Sequence, residues 1–366
     1  MRVKLGDVCE RGTSNLKLSD VSEKNGEFSV FGASGYIGSV DFYQQGYPYV
    51  AVVKDGAGIG RAMLCPGKTS VIGTMQYLLP KDNILPKYLF YVVKYMNLEK
   101  YFTGATIPHI YFKDYKNEEF NFDFWERQVE IVSVLSKCEK VIDLCKQELQ
   151  LLDKLIKARF VEMFGNPDVN EKNWNVYKME QLCEVGSSKR IYQNDQSLTG
   201  IPFLRISDLV NRMDTGSKDC DLFIPEELFE KFKKQGLVPA RGDILLTARG
   251  TLGRCYIIQD DDEFYFQDGM ITWLSKFDEK ITPLYISYLF EMPEFRKQID
   301  SLQAGSTVAY LSISMTKELN VMVPPLELQN QFAAFVAQTD KSKFEIQKSL
   351  EKTQLLFDSL MQEYFG

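Results

Sequence analysis

The chain says nearly the same thing twice, and this limits what it can fold into more than any other feature. The motif LGDVCERG at residues 5–12 returns as MEQLCEVG at residues 179–186, an offset of 174. GATIPHI at 104–110 returns as GSTVAYL at 305–311, an offset of 201. The first half closes with VEMFG, ending at Gly165, and the second with MQEYFG, ending at Gly366, again 201 apart. The offset grows by 27 between the first landmark and the second and then stays constant, so the second copy carries its extra residues inside its body and none in its tail. Two copies of body plus tail predict one architecture used twice.

A length of 366 residues accommodates two domains, each large enough for its own core. Apolar residues make up 45% and charged residues 25%, the balance of an ordinary soluble globular protein. The opening MRVKLGDVCERG lacks the apolar stretch of a signal peptide, and no apolar run reaches membrane-spanning length, so a cytoplasmic protein is expected. The seven cysteines are scattered without a CxxC pair, which reads as reduced thiols. With a single histidine, His109, no zinc-ligand spacing is available, and no metal is expected. The net charge of −7 argues against a broad basic face for nucleic acid, while leaving room for local basic loops or for a partner that supplies positive charge.

Each body reads as short strands broken by glycine turns. FSVFGASGYIGSVDFY and YPYVAVVKDGAGIGRAMLC in the first, and GDILLTARGTLGRCYII in the second, are β-branched and aromatic with glycine at the breaks. Helical segments beginning after a proline follow at Pro86 and Pro283. The bodies are therefore expected to be α+β and mostly antiparallel. Each tail reads as one long helix. In the first, Ile131, Leu135, Cys138, Ile142, Cys145, Leu149, Leu152 and Ile156 keep an alternating four–three spacing, the coiled-coil heptad, and Met163 follows one heptad on. Adding 201 gives a poorer seam, with Phe332, Val336, Ile346, Leu350, Phe357 and Tyr364 interrupted by Thr339, Lys343 and Thr353. About 38 residues at 1.5 Å rise span roughly 57 Å. Such a helix must bury its seam somewhere, and the other tail offers the nearest apolar stripe. An antiparallel helical pair on an approximate two-fold axis, with one body at each end, is expected; the alternative is two helices packed each on its own body. The expected segments are a first body at 1–122, a long helix at 123–165, a polar linker at 166–176, a second body at 177–325 and a C-terminal long helix at 326–366.

A search for catalytic constellations returns none. DGAGIG at 55–60 looks like a nucleotide-binding loop, yet a β-rich run follows it where a helix should start. The second copy replaces His109 by Tyr310, which excludes a histidine mechanism shared by both halves; the plain reading of His109 is a polar loop residue bonded to backbone. What the two glycine loops share is their ending, Gly60-Arg61 and Gly253-Arg254, with Lys54 upstream in one and Arg249 upstream in the other. An arginine on a tight hairpin can reach guanine O6 and N7 or a phosphate. Lys68, His109, Lys113, Lys189, Arg190, Arg205 and Arg241 complete the candidate DNA contacts.

These residues carry a resemblance. The glycine-rich aromatic body, the GATIPHIYFKDYKN and GSTVAYLSISMTKELNVMVPPLELQNQ segments, ARGTLGR at 248–254 and the duplicated helices together resemble the specificity (S) subunit of type I restriction-modification systems, over the whole chain. The resemblance implies two target recognition domains, each reading half of a bipartite, asymmetric site in double-stranded DNA. It implies that the helices act as a ruler between half-sites and dock two methyltransferase (M) subunits that modify adenine N6, with restriction (R) subunits cleaving after translocation. It implies no catalysis in this chain, and S-adenosylmethionine, ATP and Mg on the partner subunits. Ala309-Tyr310 in place of Pro108-His109, and FDFWERQ in place of VPPLELQ, depart from the repeat. Two other readings are a coiled-coil protein scaffold without DNA binding and the specificity chain of a type II-like methyltransferase.

Overall fold

The computed structural model describes residues 1–22, 26–103, 108–302 and 309–366, so the Gly104 and Gly305 segments singled out above lie largely outside the described residues. The chain forms two compact units: Met1–Glu148 with Glu345–Gly366, and Leu149–Phe344.

Both units are built on the same sheets. In the first, YVAVV has no charged side chain, and the strand Tyr49–Val53 is buried throughout, its one polar group, the Tyr49 hydroxyl, bonded to Thr69 Oγ1 at 2.9 Å. Val50 and Val52 point into one core and Tyr49, Ala51 and Val53 into another, as a period of two requires of a strand covered on both faces. It sits in an antiparallel sheet of order Cys9–Thr13, Met75–Pro80, Tyr49–Val53, Ala62–Cys65. The second unit repeats the order with Glu184–Gly186, Ile271–Ser275, Ile244–Thr247 and Cys255–Ile257, and again Ile244 and Leu246 face one core while Leu245 faces another. One face is covered by a helix started by a proline at its first turn, Pro86–Met96 or Pro283–Glu291. In the second unit, Pro293 forces a new start, and a second helix runs Pro293–Leu302. The other face carries a three-stranded sheet in each unit. Its central strand, Phe28–Gly32 or Ile201–Leu204, pairs antiparallel with one neighbour and parallel with the other. In the first unit that strand turns straight back into Gly35–Val40, whereas in the second it is followed by the helices Ile206–Thr215 and Glu226–Lys234. Most of the second body's extra length is here.

The two long helices, Trp125–Phe164 and Leu326–Phe365, have 40 residues each, about 60 Å at 1.5 Å per residue. Each contributes a stretch to both units. In the first unit Ile131, Leu135, Cys138 and Ile142 of the first helix meet Phe357, Met361 and Phe365 of the second, and all join the core containing Tyr88, Tyr91 and Val92. In the second unit Ile156, Phe160, Met163 and Phe164 meet Phe332 and Val336 in the core containing Tyr285 and Leu289. In each unit the start of one helix thus packs on the end of the other, antiparallel, and both pack on the body. Cys145 is buried, while Leu149, Leu152, Ile346 and Leu350 are half-buried. The weak positions of the second seam are accommodated locally: Thr339 donates its hydroxyl to Phe335 O, and Lys343 pairs with Asp153 at 2.7 Å.

A buried glutamine fixes each helix start. The Nε2 of Gln128 donates to Asn83 O and Asp123 O, and its Oε1 accepts from Leu85 N–H at the cap of the body helix. Gln329, 201 residues later, donates to Lys280 O and Pro324 O and accepts from the backbone and hydroxyl of Thr282. The polar segment after Gly165 folds back on the helix end as a cap. Trp174 Nε1 donates to Phe164 O at 2.8 Å, Asn170 bonds both backbone groups of Trp174, and the strand Asn175–Lys178 begins at once. Among the described residues no helix is long and apolar enough to cross a membrane.

Gln329→Leu leaves the Thr282 N–H and the Lys280 carbonyl without partners and is expected to cost about 1–3 kcal/mol per stranded group. Gln331→Leu, on the exposed side of the same turn, is expected to stay within about 0.5 kcal/mol. Urea unfolding midpoints of the two variants check this.

Candidate nucleic-acid interface

The two glycine-arginine hairpins are closed by the same pair of backbone hydrogen bonds. In the first unit Val53 N–H donates to Arg61 O at 3.0 Å and Gly60 N–H to Val53 O at 2.9 Å. In the second, Thr247 N–H donates to Arg254 O at 3.0 Å and Gly253 N–H to Thr247 O at 2.9 Å. The chain re-enters its strand through a left-handed glycine in both, Gly60 at φ +79° and Gly253 at φ +72°. At Gly60 a Cβ would lie 2.4 Å from the backbone nitrogen of Glu99, so glycine is required by space as well as by conformation.

The frame corrects one correspondence drawn from the sequence. Lys54 N–H bonds Thr74 O and Lys54 O accepts from Ile110 N–H; Ala248 N–H bonds Met270 O and Ala248 O accepts from Leu311 N–H. Lys54 is therefore level with Ala248, and Arg249 is level with Asp55. The five-residue loop of the second unit is one residue shorter than that of the first, which hides the match in a sequence comparison.

The candidate cations are on the surface and most are paired. Arg61 is exposed and donates Nη1 to Ala33 O at 3.2 Å. Arg254 donates Nη2 to Asp214 at 2.6 Å, and that hydrogen bond holds the Asp214 carboxyl below its usual range. Arg190 pairs with Asp268 at 2.9 Å, Arg241 with Asp260 at 3.2 Å, and Arg205 makes a two-pronged contact with Asp208 at 3.0 and 3.2 Å. Lys54 stands 3.7 Å from Asp55. Three others lie over aromatic rings: Lys113 over Tyr111, Lys189 over Phe232 and Arg249 over Tyr310. Lys68 is exposed on a left-handed turn at φ +57°. His109 is held by its side chain as well as its backbone: Nδ1 lies 2.6 Å from Asp55 Oδ1, and its N–H and C=O pair with Thr103. Exposed ion pairs contribute about 0–1 kcal/mol each, so these cations can change partner at little cost.

The structure adds a group that sequence reasoning missed. Arg212 and Asp262 form an ion pair at 2.9 Å with side chains 6% and 1% exposed. Tyr256 donates its hydroxyl to Asp262, Gln259 N–H donates to the same carboxylate, and the Arg212 guanidinium lies 4.8 Å from the Phe264 ring centroid. Burial and the bond to Asp262 push the Tyr256 phenol up to about 12. This cluster clamps the extra helix Ile206–Thr215 to the strand that follows Arg254, and so places Asp214 beside Arg254. In the sequence Arg212 falls in a polar run, NRMDTG, with nothing to mark it as buried. Beside Arg254 an open groove of about 660 Å³ is also lined by Lys157, Arg296 and Tyr288. Among the described residues no group of three or more His, Cys, Asp or Glu side chains is placed to hold a metal ion.

Comparison with known proteins gives a consistent result. A family model described as "Type I restriction modification DNA specificity domain" matches residues 1–154 and again 171–355. A Haemophilus influenzae protein named as a type I restriction enzyme specificity subunit is 29% identical over 173 residues, covering 45% of this chain and 42% of that protein. The MjaVIII specificity subunit of Methanocaldococcus jannaschii is 25% identical over 333 residues, covering 83% of this chain and 76% of that one. The crystal structure of a type I restriction-modification S subunit from M. genitalium shares the fold, with a TM-score of 0.61 at 16% identity, covering 100% of this chain and 96% of that chain.

Removing Arg212 strands the Asp262 carboxylate. Arg212→Ala is expected to cost about 3–5 kcal/mol, and the double variant Arg212→Ala/Asp262→Ala to cost less than the sum of the two single losses. A double-mutant cycle in urea measures the coupling.

Proposed function

Because the chain belongs to the family of type I restriction modification DNA specificity domains, we propose that it is the non-catalytic subunit that gives such an enzyme its DNA sequence. Each body reads one half of a bipartite, asymmetric site in double-stranded DNA. The long helices set the spacing between half-sites and dock two methyltransferase subunits. Those subunits bind S-adenosylmethionine and methylate adenine N6, and restriction subunits supply ATP- and Mg-dependent cleavage in the cytoplasm. The observation that carries this reading is the repeated frame: two bodies with the same sheet order and the same arginine hairpin, differing in the segments between. A single-site binder has no use for a second copy whose surface differs, whereas a reader of two words needs both.

The uninterrupted helices support the ruler. A recognition element on each of two half-sites on one face of B-DNA requires about 34 Å, one helical turn, and each helix is about 60 Å long. The acidic net charge favours the competing scaffold reading, and salt dependence separates the two. For the DNA-binding complex, log K is expected to fall linearly with log salt, by about 0.9 per phosphate contacted. Mapping of methylated adenines in DNA modified by the complex is expected to return one split site. A four-residue insertion in the helices, roughly 6 Å, is expected to change the spacing and leave both half-sites as they were. An unchanged spacing would falsify the ruler; salt-independent or absent DNA binding would favour the scaffold.

A further inference from the structure

The two hairpins share their closing hydrogen bonds and differ in what they display from them. Ile110 N–H to Lys54 O at 2.9 Å and Leu311 N–H to Ala248 O at 3.0 Å clip each loop to the segment beyond it. One residue further along each loop a cross-pair follows, Asp55 opposite His109 in the first unit and Arg249 opposite Tyr310 in the second. Asp55 and Arg249 thus occupy one position of the frame, and His109 and Tyr310 another. The chemistry there is reversed: an acceptor carboxylate beside an imidazole in one body, a donor guanidinium over a phenol ring in the other.

Both pairs are accessible. The His109 and Asp55 side chains are 38% and 29% exposed. The His109 ring stacks at 24° on Tyr111, which is itself exposed, and Lys113 reaches the far ring at 5.3 Å. At the level of Tyr111 the second unit has Ser312, whose hydroxyl is occupied in capping the helix Ile313–Glu318. Arg249 is exposed, with its guanidinium 5.1 Å from the Tyr310 ring centroid. Among the described residues it has no carboxylate at ion-pair distance, unlike Arg190, Arg205, Arg241 and Arg254.

We infer that positions 55 and 109 in one body, and 249 and 310 in the other, are where the two bodies read different bases. This rests on the reading of the chain as a DNA specificity subunit. The carboxylate of Asp55 accepts from an exocyclic amino group, that of cytosine N4 or adenine N6. The guanidinium of Arg249, seated over the Tyr310 ring, donates to guanine O6 and N7. Arg61 and Arg254 are alike in both bodies and cannot tell one word from another; theirs is the contact common to both halves, a phosphate.

The test uses the full chain assembled with its methyltransferase subunits, and duplexes carrying single base-pair changes in either half-site, competed at fixed salt. Arg249→Lys is expected to lose about tenfold to hundredfold in discrimination at one base pair of one half-site, leaving the other half-site untouched. Asp55→Asn is expected to relax one base pair of the other half-site only. The transplant Asp55→Arg/His109→Tyr is expected to move that base pair's preference to guanine. Loss spread equally over both half-sites, or no loss from Arg249→Lys and Asp55→Asn, overturns the assignment. A parent complex that discriminates no base pair in either half-site overturns the specificity reading itself, a result distinct from the first.

Discussion

Phe160 stacks at 18° on Tyr285, Phe164 meets the same ring edge-on, and Phe332 of the second long helix closes the cluster against both phenylalanines at 5.4–5.5 Å. The first unit uses Phe357 and Phe365 against Tyr88, Tyr91 and Tyr95 to the same end. Neither body finishes its own core; each is completed by side chains that arrive on two helices from distant parts of the chain. Truncating such a phenylalanine costs about 3–5 kcal/mol, a large share of the 5–15 kcal/mol that holds a domain folded. The body and its helical pair are therefore one cooperative unit. A hairpin presented from that unit takes its orientation from the helices, not from a flexible tether.

The sequence carried the frame well because the frame depends on periodic burial. Ile131, Leu135, Cys138 and Ile142 repeat at heptad spacing, and the β-branched, aromatic YVAVV run reads as a strand, so both could be read from pattern alone; an all-apolar run does not show which side chains face which core, and the structure supplies that division. Phe160, Phe164, Met361 and Phe365 fell outside the expected seam because the helix ends leave the heptad to pack on a body, where the partner surface sets the spacing. The matching Gln128 and Gln329 stand at the constant offset of 201 and could have been singled out; a lone polar residue in a helix start is simply more often solvated than buried. Arg212 could not have been found. Its partner Asp262 is 50 residues away, and the pairing follows from where an inserted helix lands. The one-residue shift that sets Asp55 level with Arg249 was hidden for a related reason: loop length differs between the copies, and the hydrogen bonds, not the letters, define correspondence.

Charge is the remaining constraint. A chain of net charge −7 keeps most of its candidate cations engaged: in the second unit Arg190, Arg205 and Arg241 each hold an aspartate, while Arg249 holds none among the described residues. An exposed pair of this kind is worth about 0–1 kcal/mol, while a good bidentate contact with the right base is worth about 1–3 kcal/mol of discrimination. The cost of releasing the aspartate is paid on every DNA sequence alike, and the gain is collected only where the acceptor geometry matches. An internally paired, acidic surface therefore lowers affinity for DNA in general more than it lowers the difference between right and wrong sites. Affinity then has to come from elsewhere, from binding two half-sites at once or from a basic partner. Under the proposed function, a chain that is built twice and that docks partner subunits has access to both.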